Sequence, residues 1–171
     1  MSVHDLLEFE LIGYLKEYVL TKKDTHPEFE RIVSSNGIIN IYNFLRHKDI
    51  YPETEATLMI DKLSGVAKLR AIDSNTNDPT CKKTIDMFIG FYARAAKNLA
   101  LTAACYSGLF IAGRIAQIYL PRLMSGKFMK EFETHDKRSD VLRKIPVYVI
   151  KNNDVALYGC CNVAMNFYNL M

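Results

Sequence analysis

Ser107-Gly108-Leu109-Phe110-Ile111-Ala112-Gly113-Arg114-Ile115 sets a short apolar run between two glycines. Such a run fits a strand buried on both faces, as a parallel sheet requires. A helix is expected to begin near Ile115. Upstream, from Thr80 to about Ala103, apolar residues recur at helical spacing, with Ile85, Phe88, Tyr92, Ala95, Ala96 and Leu99 on the buried side. Downstream, Ser125 is placed to cap a helix from Lys127 to Glu133. Pro146-Val147-Tyr148-Val149-Ile150 then reads as a second strand, closed by Asn152-Asn153-Asp154. Val155 to Met171 reads as a terminal helix. Helix, strand, helix, strand, helix is the order of a doubly wound α/β layer.

The first half reads as mostly helical. Leu7, Leu11, Leu15, Tyr18 and Val19 repeat at helical spacing, and Asp5 followed by Glu8 resembles a capping arrangement. A polar turn is expected at 22–27. Ser34-Ser35-Asn36-Gly37 suits a loop or cap ahead of a second helix that buries Ile38, Ile41, Tyr42 and Leu45. From Thr54 to Ile72 the pattern Leu58, Lys62, Val66, Leu69 is helical, although Gly65 weakens it by about 1 kcal/mol relative to alanine. The polar run Asp73 to Pro79 ends it. The expected organisation is one domain over 1–171: a mostly helical part over 1–79, an α/β part over 80–154 and the terminal helix over 155–171.

Composition excludes several classes. The 49% hydrophobic content suits one packed core, and the net charge of +3 is spread along the chain. With no Lys/Arg stripe, helix-turn-helix or zinc-knuckle pattern, nucleic-acid binding is not expected. The longest uncharged stretch, Asn98 to Gly113, falls short of the ~20 residues of a membrane span. Cys81, Cys105, Cys160 and Cys161 have no CxxC spacing and are expected to be free, mostly buried thiols. With no basic and apolar leader at the N-terminus, a reducing cytoplasm is expected. His135 beside Asp136 and Asp140, His26 beside Asp24, and His47 beside Asp49 lack ligand spacing and read as solvated surface, so no metal site is expected.

Several segments together point to a family. Ser107 to Ile115 is similar to the G-G-V-Y/F-I-A-G-G-I strand and turn of bacterial-type glucokinases, members of the actin-like ATPase superfamily. Asn98-Leu99-Ala100-Leu101 matches that family's G-N-L-A-L, and Cys81-Lys82-Lys83-Thr84-Ile85-Asp86-Met87-Phe88 resembles its C-R-R-x-L-x-x-F helix. Ser125-Gly126-Lys127-Phe128, Phe132-Glu133 and Ile145 to Ile150 follow in the family's order and spacing. Near the start, Glu30-Arg31-Ile32-Val33-Ser34 with Gly37 and Asn40-Ile41-Tyr42 resembles E-R-x-x-S-G-x-G-L-x-N-L-Y. The resemblance covers roughly Leu6 to Met171 and is thinnest over Tyr51 to Pro79.

The resemblance implies half of an actin-like ATPase, ribonuclease H-like fold, with a helical first part and a short, mostly parallel sheet. It implies ATP-dependent phosphorylation of glucose in glycolysis, with ATP, Mg2+ and glucose as ligands. That chemistry needs donors and Mg2+ around the phosphates, a carboxylate to accept the hydroxyl proton, and a sugar clamp. The family's phosphate loops, its Asn-Asp base pair and its G-E-x-x-H clamp precede the matched region and have no counterpart in this chain. No catalytic residue is therefore assigned, and the chain alone is expected to be inactive. Carried over are Glu30, as the glutamate that accepts hydrogen bonds from sugar hydroxyls, and Gly108, Gly113 and Arg114 on the adenosine side. Arg114, Lys97, Ser35 and Ala156 replace family glycines, and Gln117 replaces a proline. Arginine at 114 puts a side chain where a ligand or backbone would lie, and a Cβ where φ is expected to be positive. The alternative is a catalytically dead glucokinase-like module for binding or dimerisation. Val155, Leu157, Val163, Met165, Phe167 and Leu170 are expected to be partly uncovered, which implies a homodimer or a second chain over the terminal helix.

Overall fold

The computed structural model describes residues 5–21 and 26–168. Residues 22–25 of the expected polar turn, the first four residues and 169–171, Leu170 among them, lie outside the described residues. The chain divides into two compact units, Met1–Asn98 and Leu99–Met171.

In the first unit, the Asp5 carboxylate accepts a hydrogen bond from the Glu8 backbone N–H at 2.8 Å and starts helix α1, Leu6–Tyr14. The helix widens into a π turn over Leu15–Val19. Leu11 and Leu15 are buried, whereas Tyr18 turns outward and stacks on Tyr14 at 4.9 Å between ring centroids. A short 3-10 turn, Phe29–Arg31, leads into α2, Ser35–His47, capped by Ser34. The buried side of α2 holds the expected Ile38, Ile41, Tyr42 and Leu45, with Phe44 added.

The helix expected from Thr54 to Ile72 is instead two, α3 (Glu55–Asp61) and α4 (Gly65–Ser74). Thr54 and Thr57 form a reciprocal capping box at the start of α3, and Gly65 opens α4 with φ at +52°, a conformation that suits glycine. The break resets the helical phase. Leu58 and Val66 are therefore exposed, and Thr57, Ile60, Lys68 and Ile72 are the buried positions.

Asp78 accepts hydrogen bonds from the Thr80 and Cys81 backbone N–H groups, at 2.9 and 3.1 Å, and from the Thr54 hydroxyl at 2.7 Å. It thereby joins the start of α3 to the start of α5, Pro79–Thr102. That long helix buries Ile85, Phe88, Phe91 and Ala93, while Leu99, expected inside, is exposed. A buried ion pair holds α1 to α5: Arg94 Nη2 donates to Glu8 Oε1 at 2.7 Å, with the guanidinium 4.4 Å from the Phe91 ring centre.

The second unit contains β1 (Leu109–Ile111), α6 (Arg114–Ile118), α7 (Leu120–Leu123), α8 (Lys127–Glu133), α9 (Ser139–Leu142), β2 (Val147–Val149) and α10 (Val155–Tyr168). The strands pair in parallel, with Leu109 opposite Val147, Phe110 opposite Tyr148 and Ile111 opposite Val149. Both strands and their parallel pairing agree with the sequence, but burial on both faces does not. Phe110 and Tyr148 are 64% and 48% exposed and stack on each other at 5.0 Å, because only the Leu109 and Ile111 face is covered. Ser125 is not the cap of α8. Its hydroxyl donates to the Arg122 carbonyl at 2.7 Å, and Gly126, at φ +83°, takes the cap position. All four cysteines are free, but of them only Cys81 is buried; Cys160 and Cys161 are exposed on α10. Among the described residues no helix is long and apolar enough to cross a membrane.

Candidate functional site

Glu30 sits on the 3-10 turn, and that turn is fastened to the N-terminal end of α2 from three sides. The Ser34 hydroxyl donates to the Glu30 carbonyl at 2.6 Å while accepting from the Gly37 N–H at 2.9 Å. The Asn40 side-chain amide donates to the Arg31 carbonyl at 2.9 Å. Gly37 lies so close to Ile32 that a Cβ there would stand 2.0 Å from the Ile32 carbonyl oxygen. A turn held in this way fixes the backbone position from which the exposed Glu30 side chain extends.

Glu28, Glu30, Arg31, Ser34, Asn36 and Asn40 line a polar cavity of about 150 Å3. Carboxylates accept, amides both donate and accept, and a guanidinium donates, a mixture suited to a molecule carrying several hydroxyls. Of these residues the sequence assigned a role only to Glu30. Asn40 was detectable as a polar residue one helical turn beyond Gly37, whereas Glu28 and Asn36 carried no signal that separates them from ordinary turn residues.

Gly108, Gly113 and Arg114 belong to the second unit, at the two ends of β1. Gly108 has φ at +133°, and an added Cβ would meet Tyr148 Cε2 at 2.9 Å and Pro146 at 3.4 Å. Its missing side chain therefore serves strand packing. Gly113, at φ +100°, has no atom within 4 Å of a would-be Cβ, so open space lies beside its backbone. Arg114 opens α6 with an exposed side chain and is not among the residues with positive φ. The expected strain at 114 is absent because the left-handed conformation falls on Gly113 instead. Of the other replaced positions, Ser35 begins α2, Lys97 is buried in α5, Ala156 is exposed on α10, and Gln117 lies in α6 with its side-chain nitrogen buried and unbonded.

Other titratable residues are engaged locally. His135 Nδ1 accepts from the Lys137 N–H at 3.2 Å and Asp140 pairs with Arg143 at 3.2 Å. His47 packs its ring 4.8 Å from that of Tyr18. The clearest shifts sit in the core of the first unit and touch no cavity residue. Burial, helped by Asp61, raises the Tyr42 hydroxyl. Burial also lowers the Lys68 ammonium, against the pull of Asp61, and pushes the Cys81 thiol up to about 12, with Asp78 adding to it. Among the described residues no group of three or more His, Cys, Asp or Glu is placed to hold a metal ion.

The fold and the Glu30 turn can be set beside known proteins. The glucokinases of Trichormus variabilis and Synechocystis sp. are 32% and 33% identical to this chain, each over 90% of it and over 47% and 46% of their own lengths. The crystal structure of a glucokinase from an Antarctic psychrotroph superposes on 96% of the chain with a TM-score of 0.73 at 22% identity, a likeness of fold that takes in 47% of that protein. The chain spans about half the length of the curated relatives it matches. A family model described as glucokinase matches residues 1–167, and the chain belongs to the glucokinase family.

Proposed function

We propose that this chain, half of an actin-like ATPase fold, carries a sugar-binding surface in its first unit and an adenosine-binding surface in its second, as ATP-dependent glucose phosphorylation requires, and that it does not transfer phosphate alone. The observation that carries the reading is the seating of the Glu30 turn in a small polar cavity. Glu30 is a hydrogen-bond acceptor for sugar hydroxyls and not a base. An exposed carboxylate at the mouth of a cavity orients a sugar, whereas proton abstraction needs a group poised against the reacting hydroxyl. Gly113 leaves room for the nucleoside, and Arg114 is free to reach toward it. ATP, when bound, supplies the phosphoryl group; the base and phosphate-binding loops have no match among these residues and must come from another segment or chain. The reaction belongs to glycolysis, in the cytoplasm.

A second reading is favoured by one observation, the exposure of Ala156 to Phe167 on α10. On that reading the chain is a catalytically silent module that associates with itself or with another chain.

Calorimetric titration of the 171-residue chain with glucose and with ATP, separately, tests the first reading. Glucose binding that disappears in Glu30→Gln is the expected result, with no ADP formed in a coupled assay. Absence of binding by either ligand leaves the association module. ADP formation that depends on glucose and stops in Glu30→Ala would show that the chain is self-sufficient.

A further inference from the structure

We propose that the polar cavity at the Glu30 turn prefers a protonated aminohexose to a neutral hexose, and that Glu28 is the residue that sets this preference. The inference rests on the sugar-binding reading of that cavity and goes beyond it to the class of sugar.

Exposure alternates along the approach to the turn: Pro27, Phe29 and Arg31 are half-buried, and Glu28 and Glu30 are exposed. Glu28 is extended, at φ −79° and ψ 159°, and holds the cap position of the 3-10 turn that carries Glu30. Its backbone carbonyl is spent inside that turn, where it accepts from the Arg31 N–H at 3.1 Å. What Glu28 adds to the cavity lining is therefore a second carboxylate beside that of Glu30.

Hydrogen-bonding capacity in the cavity is weighted toward acceptors. Each carboxylate only accepts, through two oxygens. The Ser34 hydroxyl is already used in both directions, toward the Glu30 carbonyl and the Gly37 N–H. Asn40 gives an amide hydrogen to the Arg31 carbonyl, which leaves its own side-chain oxygen as a further acceptor. A sugar hydroxyl donates one hydrogen bond, whereas an ammonium group donates three and accepts none. An acceptor-rich lining is thus better satisfied by a sugar that carries an ammonium.

Charge decides in the same direction. With Glu30 alone, the Arg31 guanidinium would cancel the negative charge of the lining. The second carboxylate leaves an excess, and the roughly half positive charge at the N-terminal end of α2 offsets only part of it. Hydrogen bonds from a cation to a carboxylate are roughly twice as strong as neutral ones. The cavity volume of about 150 Å3 lies below the about 300–1,000 Å3 of sites for drug-sized ligands, so its occupant is one small polar molecule.

Calorimetric titration of the full chain at about pH 6.5 with glucose, glucosamine, the 3-amino isomer of glucosamine and N-acetylglucosamine tests this. An amine with a pKa of about 8 is protonated there, and acetylation removes its charge. At least one of the two amino sugars should bind roughly three- to tenfold more tightly than glucose, and N-acetylglucosamine should not. The advantage should fall below about twofold in Glu28→Gln, and also at about 1 M salt, where charges are screened beyond about 3 Å. The salt series uses the unaltered chain, so the outcome does not depend on how the variant folds. Equal affinities, or an advantage that survives either Glu28→Gln or salt, overturn this inference and leave the glucose reading standing. Amino-sugar binding without glucose binding would keep the inference and overturn glucose as the ligand. A chain that binds none of the four overturns both.

Discussion

Replacing Gly37 by alanine sets two effects of known size against each other. Gly37 lies in the first turn of α2 and is not among the glycines with positive φ. Its backbone therefore suits any residue, and helix propensity alone favours alanine by about 1 kcal/mol. Space opposes it. The new Cβ would stand 2.0, 2.3 and 2.7 Å from the carbonyl oxygen, carbonyl carbon and Cα of Ile32, all backbone atoms that no rotamer change can move. Restoring contact distance demands a shift of about 1.5 Å between buried Ile32 and α2. Such a shift breaks the hydrogen bonds from Ser34 to the Glu30 carbonyl and from Asn40 to the Arg31 carbonyl. Those two bonds contribute about 1 kcal/mol each, and overpacking costs a further 1–3, so the net loss is about 2–4 kcal/mol. Urea unfolding followed by circular dichroism reads this as a midpoint lowered by roughly 1–2 M with an unchanged slope. A variant as stable as the parent, or more stable, would mean that propensity wins and that the Glu30 turn is not seated on α2.

Four other outcomes are expected. Glu8→Ala leaves Arg94 charged and buried and should cost about 3–5 kcal/mol in urea unfolding, most of it regained when Arg94→Met is added; little loss in the single variant would refute the role of the pair. Gly113→Ala meets only backbone strain of about 1–2 kcal/mol, whereas Gly108→Ala adds the collision with Tyr148 and should unfold at lower temperature; the reverse order would be wrong for this sheet. The Cys81 thiol is raised in the folded state from 9.0 to about 12, so the stability it lends is complete below pH 9 and drains away as pH climbs toward about 12. Cys81→Ala should make that alkaline decline shallower, and a thiol reagent should modify Cys160 and Cys161 quickly and Cys81 only on unfolding. In hydrogen exchange the amides of β1 should exchange faster than those of α2, and equal protection would contradict the short, half-covered sheet.

Periodicity carried the reading wherever one helix ran without interruption. The buried set of α2 could be named from spacing, because a polar face and an apolar face alternate there at a single period, and both strands from short apolar runs bounded by turn residues. It failed at Thr54 to Ile72, where Leu58 and Val66 keep helical spacing across a break that only the left-handed Gly65 reveals. It failed again for the sheet, since an unbroken apolar run looks the same whether Phe110 meets a second layer or solvent. The Glu30 site was legible as a motif and not as a mechanism. That Ser34, Gly37 and Asn40 hold the turn depends on distances across a chain reversal, and no one-dimensional pattern encodes them. Cys160 and Cys161 were misjudged because apolar composition argues for burial, and composition does not say whether the covering surface belongs to the same chain.

The two units differ in how much of their structure is self-supporting, and this bears on which of the two proposed binding surfaces is better formed. The Glu30 turn rests on Ile32, Gly37, Ile38 and Ile41, all fully or almost fully buried within the first unit. The Gly113 turn follows a sheet of two three-residue strands whose outer face carries an exposed aromatic stack. Isolated strand pairs are marginal in water, and parallel ones are stable when both faces are covered. A ligand that requires the β1 to α6 turn to hold its shape must bear the cost of ordering it, which lowers apparent affinity by the fraction of time the turn is correctly formed. Anything that covers Phe110 and Tyr148, whether another segment or another chain, removes that cost without touching the nucleotide. On the proposed reading, glucose binding is thus the property expected of this chain unaided, and nucleotide binding is the one expected to improve when the second unit is covered.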